Sequence, residues 1–410
     1  MLTLAPQDKK LIIIPAYSNA FGGMMVSLSL LIQGIQSLEM DDSLRVLVRS
    51  GSLMETYFSE AGLGSCLEIL HLPKGGFFNT ALNWVYQQPT HWPLLLDNSV
   101  WRSRLPKLMR ASRPLRKSRR PVFHFCHDLA LSKNVLGGLL RKVTFACLAP
   151  KVICNSHFTA SHVRQIMPDI KGILYQPVDL DRIDQYRLAK ALPPENIRSI
   201  VTSGAKLMLT PSRISQPDIV NDKNLRALPP VLAALKRRGH DYYSVVIGED
   251  SSAGKTRTQE LLKQAQIWGV ADRFVILPNT YAIAAYYQYA DIVVTLAPRE
   301  PFGRTVVEAI ACGVPVVGSH TGGIREILHN FAPSWTVNPH DTHQVAEKII
   351  QVMTSPDTPG LLQRGQAWVR QTCSPETYAN GMLKLVGMLS GEGDGGTGNR
   401  RQNRHLSRKA

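Results

Sequence analysis

The chain has 410 residues with 44% hydrophobic and 19% charged content, too long for one ordinary core and too apolar for a disordered protein. No run of about 18 uninterrupted apolar residues occurs, which argues against a bilayer-spanning helix. The N-terminus lacks the basic-then-apolar order of an export signal, and the six cysteines have neither metal nor disulfide spacing. A cytoplasmic setting is expected. The net charge of +16 is uneven: residues 1–190 carry 23 Lys/Arg against 13 Asp/Glu, whereas residues 191–390 carry 19 against 16.

The first predicted element is a buried strand over the apolar run Leu11-Ile12-Ile13-Ile14-Pro15. A loop ending in Gly22-Gly23 and a helix from Met24 to Leu38 follow. Strand, glycine loop and helix open a parallel α/β unit. Leu44–Val48 reads as another strand. Trp101 to Arg120 then holds nine basic residues and no acid, with Trp101, Leu105, Leu108, Met109 and Leu115 interspersed. Three readings compete for it: a solvated basic loop or helix, a surface resting on anionic lipid, and a nucleic-acid contact. The last ranks third, because no stacking platform or recognised module accompanies the charge.

Val122–Cys126 and Lys151–Cys154 are the next strands, with helix Thr159–Met167 after the second. The pattern breaks at Leu192-Pro193-Pro194, which places an interdomain linker between there and Ala205. Leu207–Thr210, Ser244–Ile247, Phe274–Leu277, Ile292–Thr295 and Val314–Val317 then alternate with helices Leu225–Lys236, Gln259–Ile267 and Val306–Ala311. The expected organisation is an α/β fold of two doubly wound Rossmann-like units, 1–195 and 196–373, facing across a cleft. A helix over 374–390, with a crossing back to the first unit as one option, and a disordered basic tail over 391–410 follow. Ligands of such sheets bind at the carboxyl ends of the strands.

The strongest motif is Glu300-Pro301-Phe302-Gly303-Arg304-Thr305-Val306-Val307-Glu308-Ala309, after the strand Ile292–Thr295. Pro301 and Gly303 force a turn and a helix starts near Arg304. The N–H groups of Gly303, Arg304 and Thr305 are then free for a phosphate or a sugar oxygen. Glu300 stands on the loop and Glu308 lies further along the helix, so the two can address different parts of one extended ligand. Two look-alikes are set aside. Gly248-Glu249-Asp250-Ser251-Ser252-Ala253-Gly254-Lys255-Thr256 has one residue too many for a P-loop, and its acids repel phosphate. Asp179-Leu180-Asp181 resembles a metal-binding pair, but its position suits a capping turn.

Together with Ala311-Cys312-Gly313-Val314-Pro315 and Thr321-Gly322-Gly323-Ile324-Arg325-Glu326, this motif resembles the signature of retaining GT-B glycosyltransferases of the glycogen-synthase-like group. The resemblance covers nearly the whole chain, weakly over 53–120 and not in the tail. It implies that Arg213 and Lys223 neutralise the donor diphosphate as it leaves, with no metal and no cofactor. Gly22 and Gly23 would bring backbone close to the donor. Phe302, Gly303, Arg304 and Thr305 would complete the donor site, with Glu308 on the ribose and Glu300 on sugar hydroxyls. In Phe123-His124-Phe125-Cys126-His127-Asp128 the match puts His127, rather than His124, on the transferred sugar, although a histidine after a strand is more often structural. Asn155-Ser156 and Pro177-Val178-Asp179 also fit the family's ordering.

The activity so implied is transfer of a hexose-type sugar from a nucleotide sugar to a glycan or lipid-linked acceptor. The expected partners are that donor, that acceptor and an anionic membrane surface met through residues 101–120, not nucleic acid. The alternatives are a nucleotide-sugar epimerase and a non-catalytic binding scaffold.

Overall fold

The computed structural model describes residues 9–16, 22–72, 76–101, 103–132, 134–189, 192–218 and 222–389. The tail 391–410 expected to be disordered lies outside the described residues. The strands are β1 (Leu11–Ile14), β2 (Leu44–Arg49), β3 (Leu67–Leu70), β4 (Leu94–Asp97), β5 (Val122–Cys126), β6 (Lys151–Cys154) and β7 (Ile170–Ile173), then β8 (Lys206–Pro211), β9 (Tyr242–Ile247), β10 (Phe274–Leu277), β11 (Ile292–Thr295), β12 (Val316–Ser319) and β13 (Thr336–Val337). They form two sheets, ordered β3-β2-β1-β4-β5-β6-β7 and β10-β9-β8-β11-β12-β13. All pairings are parallel.

Parallel strands are covered on both faces, which is why β1 is apolar at every position and fully buried. Its side chains alternate between layers. Leu11 and Ile13 join a core with helices Gly23–Ser37 and Pro375–Leu385, while Ile12 and Ile14 join one with helices Phe77–Gln87, Leu105–Lys117 and Val135–Leu148. The second sheet has one continuous core.

The stretch between the two units sits differently from expectation. The segment read as a linker contains helix Glu195–Thr202, and its Ile197 and Ile200 pack into the core of the second sheet. So do Val178, Leu180 and Ile183, whereas Leu174 belongs to the first core. Packing therefore changes sides between Leu174 and Val178, ahead of the boundary drawn at residue 195. Helix Pro375–Leu385 returns to the first sheet. It approaches helix Gly23–Ser37 so closely that a Cβ on Gly34 would lie 2.2 Å from the Pro375 carbonyl oxygen, contact that only glycine permits.

The strand order reverses in both sheets at equivalent places, between β1 and β4 and between β8 and β11. A crevice opens there at the carboxyl ends, because the following helices depart to opposite faces.

Candidate active site

The loops after β8 and β11 hold most of the residues singled out in the sequence. Arg213 follows β8 and is exposed. Its approach is shaped by Gly248, where a Cβ would lie 1.8 Å from the Ser212 carbonyl oxygen. Lys223 and Glu300, from separate loops, form an ion pair at 2.5 Å with side chains 23% and 20% exposed. The two residues expected at the diphosphate and at the sugar thus meet at one point.

The turn after β11 is held from behind. Gly303 adopts φ +104° and precedes helix Arg304–Ala311. Gly323 N–H donates to the Glu300 carbonyl at 2.7 Å, and a Cβ on Gly323 would sit 2.3 Å from the Phe302 carbonyl oxygen. Thr321 Oγ1 donates to the Pro298 carbonyl at 2.6 Å. The Thr-Gly-Gly sequence is therefore the mould on which the Glu300–Gly303 loop is cast. Thr305 Oγ1 bonds the Pro211 carbonyl at 3.4 Å, tying the helix start to the end of β8. The amides of Gly303, Arg304 and Thr305 have no protein acceptor among the described residues, leaving the helix start open to an anion. The Phe302 side chain is 2% exposed and lies against the ring of Tyr175, centroids 5.8 Å apart. It anchors the loop from below, so only the backbone of Phe302 faces the open side of the turn.

Arg304 does more than begin a helix. Its guanidinium crosses the cleft, donating to Ser27 Oγ, to the Pro177 carbonyl at 3.2 Å and to Gln176 Oε1 at 3.2 Å. It also packs over Gly23, where a Cβ would stand 3.1 Å from Nε. Burial lowers its pKa, opposed by the charge of Glu308 at 3.8 Å. Glu308 accepts from Tyr287 Oη at 3.2 Å. Burial raises its carboxyl pKa, and Arg304 and the tyrosine hydroxyl oppose that shift. Gly22 is exposed with nothing within 4 Å of where a Cβ would lie.

From Arg304 the polar chain continues into the first unit. Gln176 Nε2 lies 2.5 Å from His127 Nδ1, and His127 Nε2 lies 2.6 Å from Asp97 Oδ1. The proton positions follow from chemistry. A guanidinium only donates, so the Gln176 oxygen faces it and the Gln176 amide N–H faces His127. Nδ1 then accepts and Nε2 donates to the carboxylate. Both ring nitrogens are occupied, and contact between His127 and a sugar requires exchange of one partner. His124 is a different case. It is fully buried, accepts from Ser99 N–H at 3.0 Å and has Nδ1 3.1 Å from Cys126 Sγ. Burial pushes its pKa down to about 3. His124 holds the end of β4 and does not face the cleft.

A second bridge joins the units. Glu326 accepts from His157 N–H at 2.8 Å, Phe158 N–H at 2.9 Å and Tyr175 Oη at 2.9 Å. It caps helix His157–Val163 from across the cleft. Ser156 Oγ and Thr159 Oγ1 both bond the Pro301 carbonyl, at 2.5 and 3.1 Å. Asp97, Gln176 and Tyr287 carry these contacts and were not singled out by sequence, while Glu326 entered only as the end of the Thr321–Glu326 motif, with no role assigned. Of the first three only Asp97 left a signal, as a carboxylate closing the apolar run Leu94-Leu95-Leu96.

Both look-alikes have structural uses. Asp179 Oδ1 accepts from Arg182 N–H at 3.0 Å, capping helix Leu180–Ala189. Asp250 accepts from Ser252 N–H and Thr258 N–H at 2.9 and 2.8 Å, in the space a P-loop would leave for phosphate. Among the described residues no group of three or more His, Cys, Asp or Glu side chains is gathered as for a metal ion.

Comparison with known proteins bears on the fold. Residues 188–364 match the family model described as glycosyl transferases group 1. The chain is 28% identical over 256 residues to D-inositol 3-phosphate glycosyltransferase 2 of Catenulispora acidiphila, covering 58% of each chain. It is 27% identical over 294 residues to D-inositol 3-phosphate glycosyltransferase of Thermomonospora curvata, covering 65% of each. Its match thus spans less than two thirds of either relative. Among solved structures, Anabaena Alr3699/HepE in complex with UDP superposes with a TM-score of 0.71 at 18% identity, over 92% of this chain and 99% of that one. Sucrose-phosphate synthase of Thermosynechococcus elongatus gives 0.65 at 17%, over 92% and 98%. The fold is therefore GT-B, and residues 188–364 are similar to the glycosyl transferases group 1 family.

Proposed function

We propose that this protein transfers a hexose from a nucleoside-diphosphate sugar to a glycan or lipid-linked acceptor, with retention of anomeric configuration. The observation that carries the reading is the meeting of the Lys223–Glu300 ion pair with the open helix start at Arg304, at the point where the strand order reverses. A diphosphate there would draw Lys223 away from Glu300 and lie on the free amides, with Arg213 closing over it. Glu300, released, would accept from sugar hydroxyls. Glu308 would take the ribose, and its raised pKa suits a carboxyl close to neutral hydroxyls. Negative charge that develops on the leaving diphosphate is met by two cations and a helix terminus, so no metal is needed. The acceptor would enter from the more basic first unit. Attachment to the inner face of a membrane fits that charge.

The uridine nucleotide of the Anabaena neighbour makes UDP-glucose the first donor to test. Thermal stabilisation by a panel of nucleotide sugars, followed by turnover and assignment of the product anomer, is the experiment. One donor should stabilise and turn over in the presence of EDTA. Loss of activity in chelator restored by manganese would reject the metal-independent mechanism. A free isomeric nucleotide sugar made without acceptor would show an epimerase instead.

A further inference from the structure

The helical layer on one side of the first sheet is chemically one-sided. Helices Phe77–Gln87, Leu105–Lys117, Val135–Leu148 and His157–Val163 contain no Asp or Glu. Residues 98–168 hold fourteen Lys/Arg against the single acid Asp128. Asp128 is turned inward, where it accepts from Asn98 Nδ2 at 3.0 Å and from Ala130 N–H at 2.9 Å.

The structure redistributes the roles expected for Trp101–Arg120. Leu105, Leu108 and Leu115 are fully buried, so they cannot enter a bilayer. Arg120 is buried too and Arg104 half-buried, satisfied by the backbone carbonyls of Pro15 and Ala16 for Arg104 and of Trp92, Val85 and Gln88 for Arg120. Among the described residues of this stretch the exposed cations are Arg110, Arg113, Arg116, Lys117 and Arg119.

The apolar surface missing from that helix stands on its neighbour. On helix Val135–Leu148, Val135, Leu136, Leu139 and Val143 are 88%, 76%, 57% and 44% exposed. Their spacing puts them on one face, with Lys142. Phe145 and Leu148 on the opposite face fill the core. Arg116 Nη1 lies 3.5 Å from the Cys147 carbonyl, so the cationic helix lies alongside. Arg141 Nε donates to the Val100 carbonyl at 3.1 Å, which brings Trp101, 56% exposed, to the same surface. Both helices start at carboxyl ends of strands, so Trp101, Val135 and Leu136 lie towards the cleft rim and the cations extend away from it.

We infer that this face, an apolar stripe on helix Val135–Leu148 flanked by the exposed cations of helix Leu105–Lys117, docks on an anionic lipid bilayer. Leucine and valine side chains at a phosphate-rich surface favour lipid over nucleic acid, whose backbone offers them nothing to bury against. An all-positive rim without carboxylates disfavours a second copy of the same face, which would oppose like charges. Docked this way, the cleft rim beside Asp97 and His127 lies close to the membrane plane.

The test is sedimentation of the full chain with vesicles of phosphatidylcholine alone or with phosphatidylglycerol added, at low and high salt. The parent should bind the anionic vesicles and release in salt. Leu136→Gln with Leu139→Gln should weaken binding about tenfold or more, and Arg110→Gln, Arg113→Gln and Lys117→Gln together on the order of a hundredfold. These side chains are exposed, so unchanged thermal melting separates loss of binding from loss of fold. Vesicle binding needs neither donor nor turnover, so it stands or falls apart from the proposed activity. Indifference of the parent to lipid charge, or full binding by the Leu136/Leu139 variant, overturns the proposal. So does a concentration-dependent dimer abolished by that variant, or binding to duplex nucleic acid lost only in the charge variant.

Discussion

Glu326 is the residue whose loss should show most clearly how the two units are held. Its carboxylate serves three donors across the cleft: His157 N–H at 2.8 Å, Phe158 N–H at 2.9 Å and Tyr175 Oη at 2.9 Å. Glu326→Gln keeps the shape, removes the charge facing a helix N-terminus, and turns an amide NH2 toward a backbone N–H. A hydrogen bond to a charged group contributes about 1.5–3 kcal/mol, and a donor left facing a donor costs about 1–3 more. His157 is exposed and Phe158 half-buried, so water recovers part of this and the net loss should be about 2–3 kcal/mol. Since 1.4 kcal/mol is a factor of ten, amide exchange at Phe158 should quicken about 30- to 140-fold. Hydrogen exchange read by mass spectrometry measures this directly. Small-angle scattering should show a larger radius of gyration as the units separate. Parent-like exchange over residues 156–163 together with an unchanged radius would refute the argument that this carboxylate joins the units.

Other outcomes follow from the same geometry. Arg213→Ala or Lys223→Ala should cut kcat/KM for the donor on the order of a hundredfold or more, by loss of a charge-assisted contact to the diphosphate; near-normal turnover in both folded variants would remove them from the site. Gly323→Ala places a Cβ 2.3 Å from the Phe302 carbonyl oxygen, so the Glu300–Gly303 loop must shift; stability should fall by about 1–3 kcal/mol and donor affinity with it, read by melting and titration calorimetry. His124, with a folded pKa of about 3 and an unfolded one near 6.5, is neutral in the native state while the unfolded chain takes up a proton. Stability should therefore fall as pH drops below about 6.5 and continue falling toward 3, by about 2 kcal/mol at pH 5 from this group alone. Urea unfolding of His124→Gln should show that slope reduced by about one proton, and an unchanged slope would contradict the burial argument.

Much of the fold was legible in the residues because parallel strands are buried on both faces. Continuous apolar runs such as Leu11–Ile14, Ile292–Val294 and Phe274–Leu277 coincide with strands, since no amphipathic alternation is needed there. The glycines of Thr321-Gly322-Gly323 and the turn at Gly303 were legible for a related reason, as close approach and positive φ admit few other residues. What could not be read were long-range partners. Arg304 was expected to contribute backbone, yet its side chain spans the cleft to Ser27 and Gln176. Nothing in the local sequence announces Gln176, and the motif that contains Glu326 gives no hint of its partners, because Gln176 meets Arg304 and Glu326 meets Phe158 from more than a hundred residues away. The basic stretch carried the right charge but an ambiguous face: Leu105, Leu108 and Leu115 look available in one dimension, and only packing shows that they fill a core while Leu136 and Leu139 face solvent. Composition and periodicity record what a residue does to its own helix or strand, whereas contacts between distant segments exist only once the chain has closed on itself.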